Sequence, residues 1–137
     1  MIIGIDIGGV IIGGSGDTDT SFFTDNFLAT PEIEGAWKAL DDLDMAGHEL
    51  HIISKCWHTV EGKSLRWLEQ YRFEMIPLHR THFVRERHLK APMALALQLD
   101  VFIDDRADII DSMEGVVKHP ILFTSWKKVM DQIEEIA

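Results

Sequence analysis

The sequence is short of cysteine, of basic residues and of long apolar runs, and each shortage closes off a class of protein. Cys56 is the only cysteine in 137 residues, so no internal disulfide can form and an oxidising compartment is not implied. Thirteen Lys and Arg stand against 23 Asp and Glu, a net charge of −10 with histidine neutral. That balance argues against non-specific binding to nucleic acid or to an anionic membrane, both of which need a basic surface. No apolar run approaches the ~20 residues that a membrane-spanning helix needs. The opening Met1-Ile2-Ile3-Gly4-Ile5-Asp6 lacks a basic stretch and soon meets a charge, so it does not read as a signal peptide. None of the seven histidines (48, 51, 58, 79, 82, 88, 119) forms a His-x-x-x-His pair with a carboxylate between, which argues against a helical zinc site. The expectation is a soluble, cytoplasmic protein.

What is present is ordinary globular material: 46% hydrophobic and 26% charged residues, enough chain for one domain with a real core. Residues 2–7 are apolar and β-branched and stop at Gly8-Gly9, as a buried strand entering a glycine turn does. Residues 13–30 are small, polar and acidic through their first half and read as a flap or minimal insertion. Thr30-Pro31-Glu32 has the composition of a helix start, with a hydroxyl cap, proline and an acid in the first turn. That helix should run to Gly47. Strands are expected at 48–54, 73–78, 100–104 and 121–123, with 79–84 a short extended or loop segment. Helices are expected after Thr59, over 90–99, over 107–113 and over 126–136. Strands alternating with helices imply an α/β fold: a three-layer, Rossmann-like parallel sheet of about five strands with helices on both faces. Ligands bind such sheets outside the carboxyl ends of the strands.

Three predicted strands end in side chains suited to one chemistry. The first delivers Asp6, the second Ser54, the fourth Asp104 and Asp105. Clustered carboxylates repel one another unless a cation joins them, and hard oxygen donors favour Mg²⁺. An aspartate beside such a metal can attack phosphorus and form an aspartyl-phosphate. A serine hydroxyl and a lysine ammonium can hold phosphoryl oxygens and offset developing charge. Glycines after Asp6 let the backbone approach phosphate and metal. Lys90, Lys55 and Lys63 compete for the lysine role. Lys90 stands at the start of the helix that feeds the acidic strand, and Lys55 adjoins Ser54. The bland readings are a turn-capping Asp6, a helix-capping Asp104-Asp105 pair and a turn serine at Ser54. The four tryptophans read mostly as core, with Trp57 a candidate stacking wall beside the site.

Four motifs in order resemble the haloacid dehalogenase (HAD) superfamily: Ile5-Asp6-Ile7-Gly8-Gly9-Val10, Ile52-Ile53-Ser54, Lys90, and Val101-Phe102-Ile103-Asp104-Asp105-Arg106. The resemblance covers essentially the whole chain. The last motif, with His119-Pro120-Ile121-Leu122-Phe123-Thr124, is more weakly similar to the 5′(3′)-deoxyribonucleotidase-like branch. The resemblance implies a capless or minimal-cap Mg²⁺-dependent phosphatase acting on a phosphorylated substrate, with Asp6 as nucleophile. It implies Ser54 and Lys90 as its catalytic partners, and Gly8, Gly9, Ser54, Lys55 and Lys90 around the phosphate. Asp6, the Gly8 carbonyl, Asp104 and Asp105 would surround the metal.

One position departs from that pattern. The superfamily's second aspartate, which protonates the leaving alkoxide, is Gly8 here. Proton transfer of that kind is worth roughly two to four powers of ten in rate. A weakened phosphatase, an enzyme for good leaving groups, an acid borrowed from Asp17, Asp19 or Asp25, or a binding domain without turnover all follow as alternatives. The run Ile3-Gly4-Ile5-Asp6-Ile7-Gly8-Gly9-Val10 also resembles the phosphate-binding opening of actin-like sugar kinases. That fold needs two such domains, for which 137 residues leave no room.

Overall fold

The structure, a computed structural model, describes residues 1–13, 22, 24–70 and 75–137. Its centre is strand β1 (Ile2–Ile5), followed by helix α1 (Ala36–Met45) and strand β2 (Glu49–Lys55). Then come α2 (His58–Glu69), β3 (Thr81–Val84), α3 (Lys90–Ala96), β4 (Val101–Asp104), α4 (Ala107–Ser112), β5 (His119–Leu122) and α5 (Trp126–Ile136). The five strands are all parallel in the order β3-β2-β1-β4-β5. The chain winds outward from β1 to β3, then returns to β4 beside β1 and winds the other way. Because parallel crossovers are right-handed, that reversal sends α3 and α4 to the opposite face, while α5 returns to the face of α1.

Side-chain alternation along each strand records the two faces. Ile3, Ile5, Leu50, Ile52, Val101 and Ile103 pack with Leu40 and Leu43 of α1, Trp67 of α2 and Val129 and Ile133 of α5. Between them, Ile53 and Phe102 point the other way, onto Ala94 of α3 and Ile109 of α4. Gly4 faces this second layer because a β-carbon there would collide with the Leu99 and Phe102 side chains. All the core residues named here are at most 5% exposed, which accounts for the near-continuous apolar strands.

Two expectations about elements are corrected. The third strand is Thr81–Val84, not 73–78; Met75 and Ile76 lie in a turn and Leu78–Arg80 form a 3-10 turn, while residues 73 and 74 lie outside the described residues. The first helix starts at Ala36, not near Thr30. Gly35, at φ +81°, takes the left-handed conformation that turns the chain into it. The Glu32 carboxylate instead accepts the Trp37 amide at 2.8 Å. Two tryptophans secure the segment before that helix: the Trp67 indole donates to Thr30 O and the Trp126 indole to Val10 O, both at 2.8 Å. No helix among the described residues is long and apolar enough to cross a membrane.

Candidate active site

The reversal in strand order lies between β1 and β4, and at its carboxyl end the two strands deliver Asp6 and Asp104. Asp6 is the first residue after β1, its amide bonded to Ile103 O of β4 at 3.0 Å. Asp104 ends β4 and is wholly buried. Lys90, the first residue of α3, reaches between them: its ammonium lies 3.1 Å from Asp6 Oδ1 and 2.8 Å from Asp104 Oδ2. The lysine is itself only 3% exposed. Of the three candidate lysines, Lys90 alone makes these contacts; Lys63 donates instead to Thr24 O at 3.2 Å, and Lys55 lines the cleft at the end of β2.

Asp105 completes the group, with one oxygen from each of Asp6, Asp104 and Asp105 lying within 4.8 Å of the others. Three carboxylates against one ammonium leave two negative charges in a largely buried space. Burial therefore pushes the Asp6 carboxyl up from 3.8 to about 7; Lys90 opposes the rise, and Asp104 and Asp105 add to it. Asp105 is also raised, by burial and then by Asp104. Burial works against the charge on Lys90, yet Asp6 and Asp104 together hold its pKa above the usual 10.5. The set could hold a hard divalent cation on its donor chemistry: three carboxylate oxygens close together and a charge deficit of two. Asp104 Oδ1 is also fixed by the Arg106 amide at 3.0 Å, so its orientation is set before any ligand arrives.

The turn after Asp6 is tight. The Val10, Ile11 and Ile12 amides all donate to Ile7 O at 2.8–3.1 Å. Gly9 sits at φ +76°, and a β-carbon there would run into the Asp105 carboxylate. Gly8 differs: its conformation is ordinary and a β-carbon would meet nothing within 4 Å. Both glycines line a cleft of about 750 Å³ together with Asp6, Ser54, Lys55 and Lys90. The residues picked out at the strand ends therefore meet in one place, with Asp104 beneath its floor.

Asp17 and Asp19 lie outside the described residues. Asp25 is exposed and does not line the cleft, and Asp108 is engaged by the Arg106 guanidinium at 3.0 Å. His58 Nδ1 pairs with Arg85 Nη2 at 3.0 Å rather than facing Asp6. Cys56 is buried, which pushes its thiol up and away from reactivity. Two arginines escaped the sequence reading. Arg87 lines the cleft, three residues ahead of Lys90. Arg85 braces the turn after β2, donating to Cys56 O at 2.8 Å and pairing with Glu61 at 2.8 Å. Only the proximity of Arg87 to Lys90 in the chain was available as a signal.

No protein-family model and no curated protein matches this sequence. Among solved structures, a chain from the structure of the Pnkp1/Rnl/Hen1 complex is similar, with a TM-score of 0.65 over 89% of this chain at 11% identity. The present chain spans 45% of that chain's length. At such low identity the likeness speaks to architecture alone: this is a three-layer, Rossmann-like α/β fold around a five-stranded parallel sheet.

Proposed function

We propose that this protein is a Mg²⁺-dependent phosphohydrolase of the haloacid dehalogenase type, with Asp6 as the nucleophile. The observation that carries the reading is the buried Lys90 ammonium shared between Asp6 and Asp104 at the strand-order reversal. A purely structural ion pair is seldom built from three carboxylates and one lysine at the mouth of a cleft, since the unbalanced charge is costly. A bound divalent metal supplies the positive charge that the site is short of.

In this reading Asp6, Asp104, Asp105 and the Gly8 carbonyl hold Mg²⁺. When bound, the metal supplies electrostatic stabilisation of the phosphoryl oxygens and keeps Asp6 ionised at neutral pH. Lys90 holds the Asp6 carboxylate in line and offsets charge on the phosphoryl group, and the Ser54 hydroxyl donates to one of its oxygens. Asp6 attacks phosphorus, and water later frees phosphate from the aspartyl ester. The lone, buried Cys56 suits a reducing compartment, and we place the protein in the cytoplasm.

The test is hydrolysis of 4-nitrophenyl phosphate, whose leaving group needs little acid assistance, with and without Mg²⁺. Metal-dependent turnover that is lost in Asp6→Asn is the expected result. Absence of both turnover and Mg²⁺ binding sinks the reading. Gly8 favours a second outcome: Mg²⁺ and beryllofluoride bound at Asp6 without turnover mark a domain that keeps the site but has lost the chemistry.

A further inference from the structure

Two features of the cleft are independent of the charged cluster, and they point the same way. The first is the side chain missing at position 8. Gly8 places no acid beside the leaving group, and no other carboxyl group among the described residues lines the cleft apart from Asp6 and Asp105, both assigned to the metal. With no acid supplied by the described residues, a leaving oxygen departs as the anion. A phenolate can do so, since phenols such as the tyrosine side chain have a pKa of about 10. An alkoxide is far more basic, close to hydroxide, and departs unprotonated only with difficulty.

The second feature is Trp57. It is 61% exposed, whereas Trp67 and Trp126 are buried, and it lines the cleft beside Ser54 and Lys55. Its ring makes no hydrogen bond and stacks on no other ring among the described residues. Yet its backbone is held on both sides. Cys56 N donates to Val84 O at 3.0 Å, Arg85 grips Cys56 O at 2.8 Å, and Glu61 N donates to Trp57 O at 2.9 Å. An indole largely exposed on a fixed support at the mouth of a site is a surface for a planar ring. Val60 and Ile33 continue the apolar side of the same cleft.

Building on the phosphohydrolase reading, we propose that the substrates are aryl phosphomonoesters, the phosphorylated ring stacking on Trp57 while its phosphate faces Asp6. The Asp6 carboxylate oxygen bonds to phosphorus as the phosphorus–aryl oxygen bond breaks. Both electrons of that bond leave on the phenolate, which takes a proton from solvent. Water then attacks the aspartyl phosphate, the phosphorus–Asp6 oxygen bond breaks, and inorganic phosphate leaves as a proton passes to solvent. The same ring chemistry is available from a free phenyl phosphate and from a phosphotyrosine side chain.

Binding is measured by calorimetry with saturating Mg²⁺, using phenylphosphonate and methylphosphonate, which cannot be hydrolysed. The intact protein binds the aryl ligand about 5- to 150-fold more tightly, as one stacked ring is worth about 1–3 kcal/mol. Trp57→Ala brings that ratio towards one, and Trp57→Phe restores most of it. Equal binding of the two phosphonates, or an aryl preference unchanged in Trp57→Ala, overturns the proposal even if 4-nitrophenyl phosphate is turned over. A Trp57-dependent preference upholds the ring site even if no ester is hydrolysed, in which case only the phosphohydrolase reading fails. Where there is turnover, kcat/KM for phenyl phosphate exceeds that for glycerol phosphate by two powers of ten or more, the scale of a missing general acid. A ratio near one overturns the leaving-group half. A phosphotyrosine peptide cleaved more efficiently than phenyl phosphate identifies the protein-borne source, and the reverse order identifies the free small molecule.

Discussion

The Lys90 ammonium lies 3.1 Å from the Asp6 carboxylate across 84 residues of sequence, and both side chains are buried. Its contact with Asp104 makes it, among the described residues, the one positive charge joining these two buried carboxylates. Lys90→Met keeps the length of the side chain and removes that charge. Breaking one partner out of a buried ion cluster costs roughly 3–5 kcal/mol. The expected result is a denaturant midpoint lowered accordingly in metal-free protein, with much of the loss recovered on adding Mg²⁺. A variant as stable as the parent without metal contradicts the arrangement.

Asp6 sets the pH dependence of the metal site. Its folded pKa, pushed up to about 7 by burial, lies above the ordinary 3.8, so the native metal-free protein holds this proton more tightly than the unfolded chain. The stability it contributes is fully present below about 3.8 and is lost as pH rises towards 7. Magnesium competes with the same proton. Calorimetry in buffers of different ionisation enthalpy should therefore find close to one proton released per Mg²⁺ bound at pH 6, and almost none well above 7. The same release in Asp6→Asn disproves the assignment to Asp6.

Gly8 and Gly9 stand next to each other and respond oppositely to a side chain. Gly8→Asp meets nothing within 4 Å at its β-carbon and restores the acid that the superfamily pattern implies. Turnover of alkyl phosphates such as glycerol phosphate should rise by roughly 10²–10⁴, with Mg²⁺ affinity unchanged. No gain with metal binding intact removes the missing acid as the reason for weak turnover. Gly9→Ala instead strains a residue at φ +76° and drives its methyl into Asp105. It should cost about 1–3 kcal/mol and weaken Mg²⁺ binding, read from a titration of thermal stability against metal.

Those contrasts mark what the sequence could and could not reveal. The central strands were legible because β1 and β4 are buried on both faces and therefore continuously apolar, and each stops abruptly at an aspartate. The terminal helix was equally plain: Ser125 caps it through the Lys128 amide, and Trp126, Val129 and Ile133 share its buried face. Strand β3 was not, because it is an edge strand carrying Thr81 and His82, and the more apolar residues just before it mimicked a buried strand. The first helix was misplaced because its start depends on Gly35 and on Glu32 bonding forward to Trp37, a tertiary choice over a good local cap. Asp6, Ser54 and Asp104 could be picked out since strand ends converge by topology alone. Arg85 could not, as its partners Cys56, His58 and Glu61 lie more than twenty residues away with no spacing rule to announce them.

On strands β2 and β3, three side chains form a relay that should make the fold acid-sensitive. His51 Nε2 lies 2.8 Å from Glu49 Oε2, and His51 Nδ1 lies 3.2 Å from His82 Nε2, the two rings stacked at 5.4 Å. Only one proton can sit between the facing nitrogens, so a fully charged pair of histidines would turn two N–H groups on each other. Burial, then His51 and His79, hold the His82 pKa below its ordinary 6.5. A histidine lowered in the folded state contributes stability that is fully present above 6.5 and is lost as pH falls below it. His82→Gln retains a hydrogen-bond donor but cannot take up the proton. Its denaturant midpoint should fall less between pH 7 and 5 than that of the parent, while the two proteins differ little at pH 8. Because Asp6 titrates equally in both, its opposite trend cancels in the comparison. Parallel pH profiles for the two proteins mean that His82 does not carry the acid sensitivity.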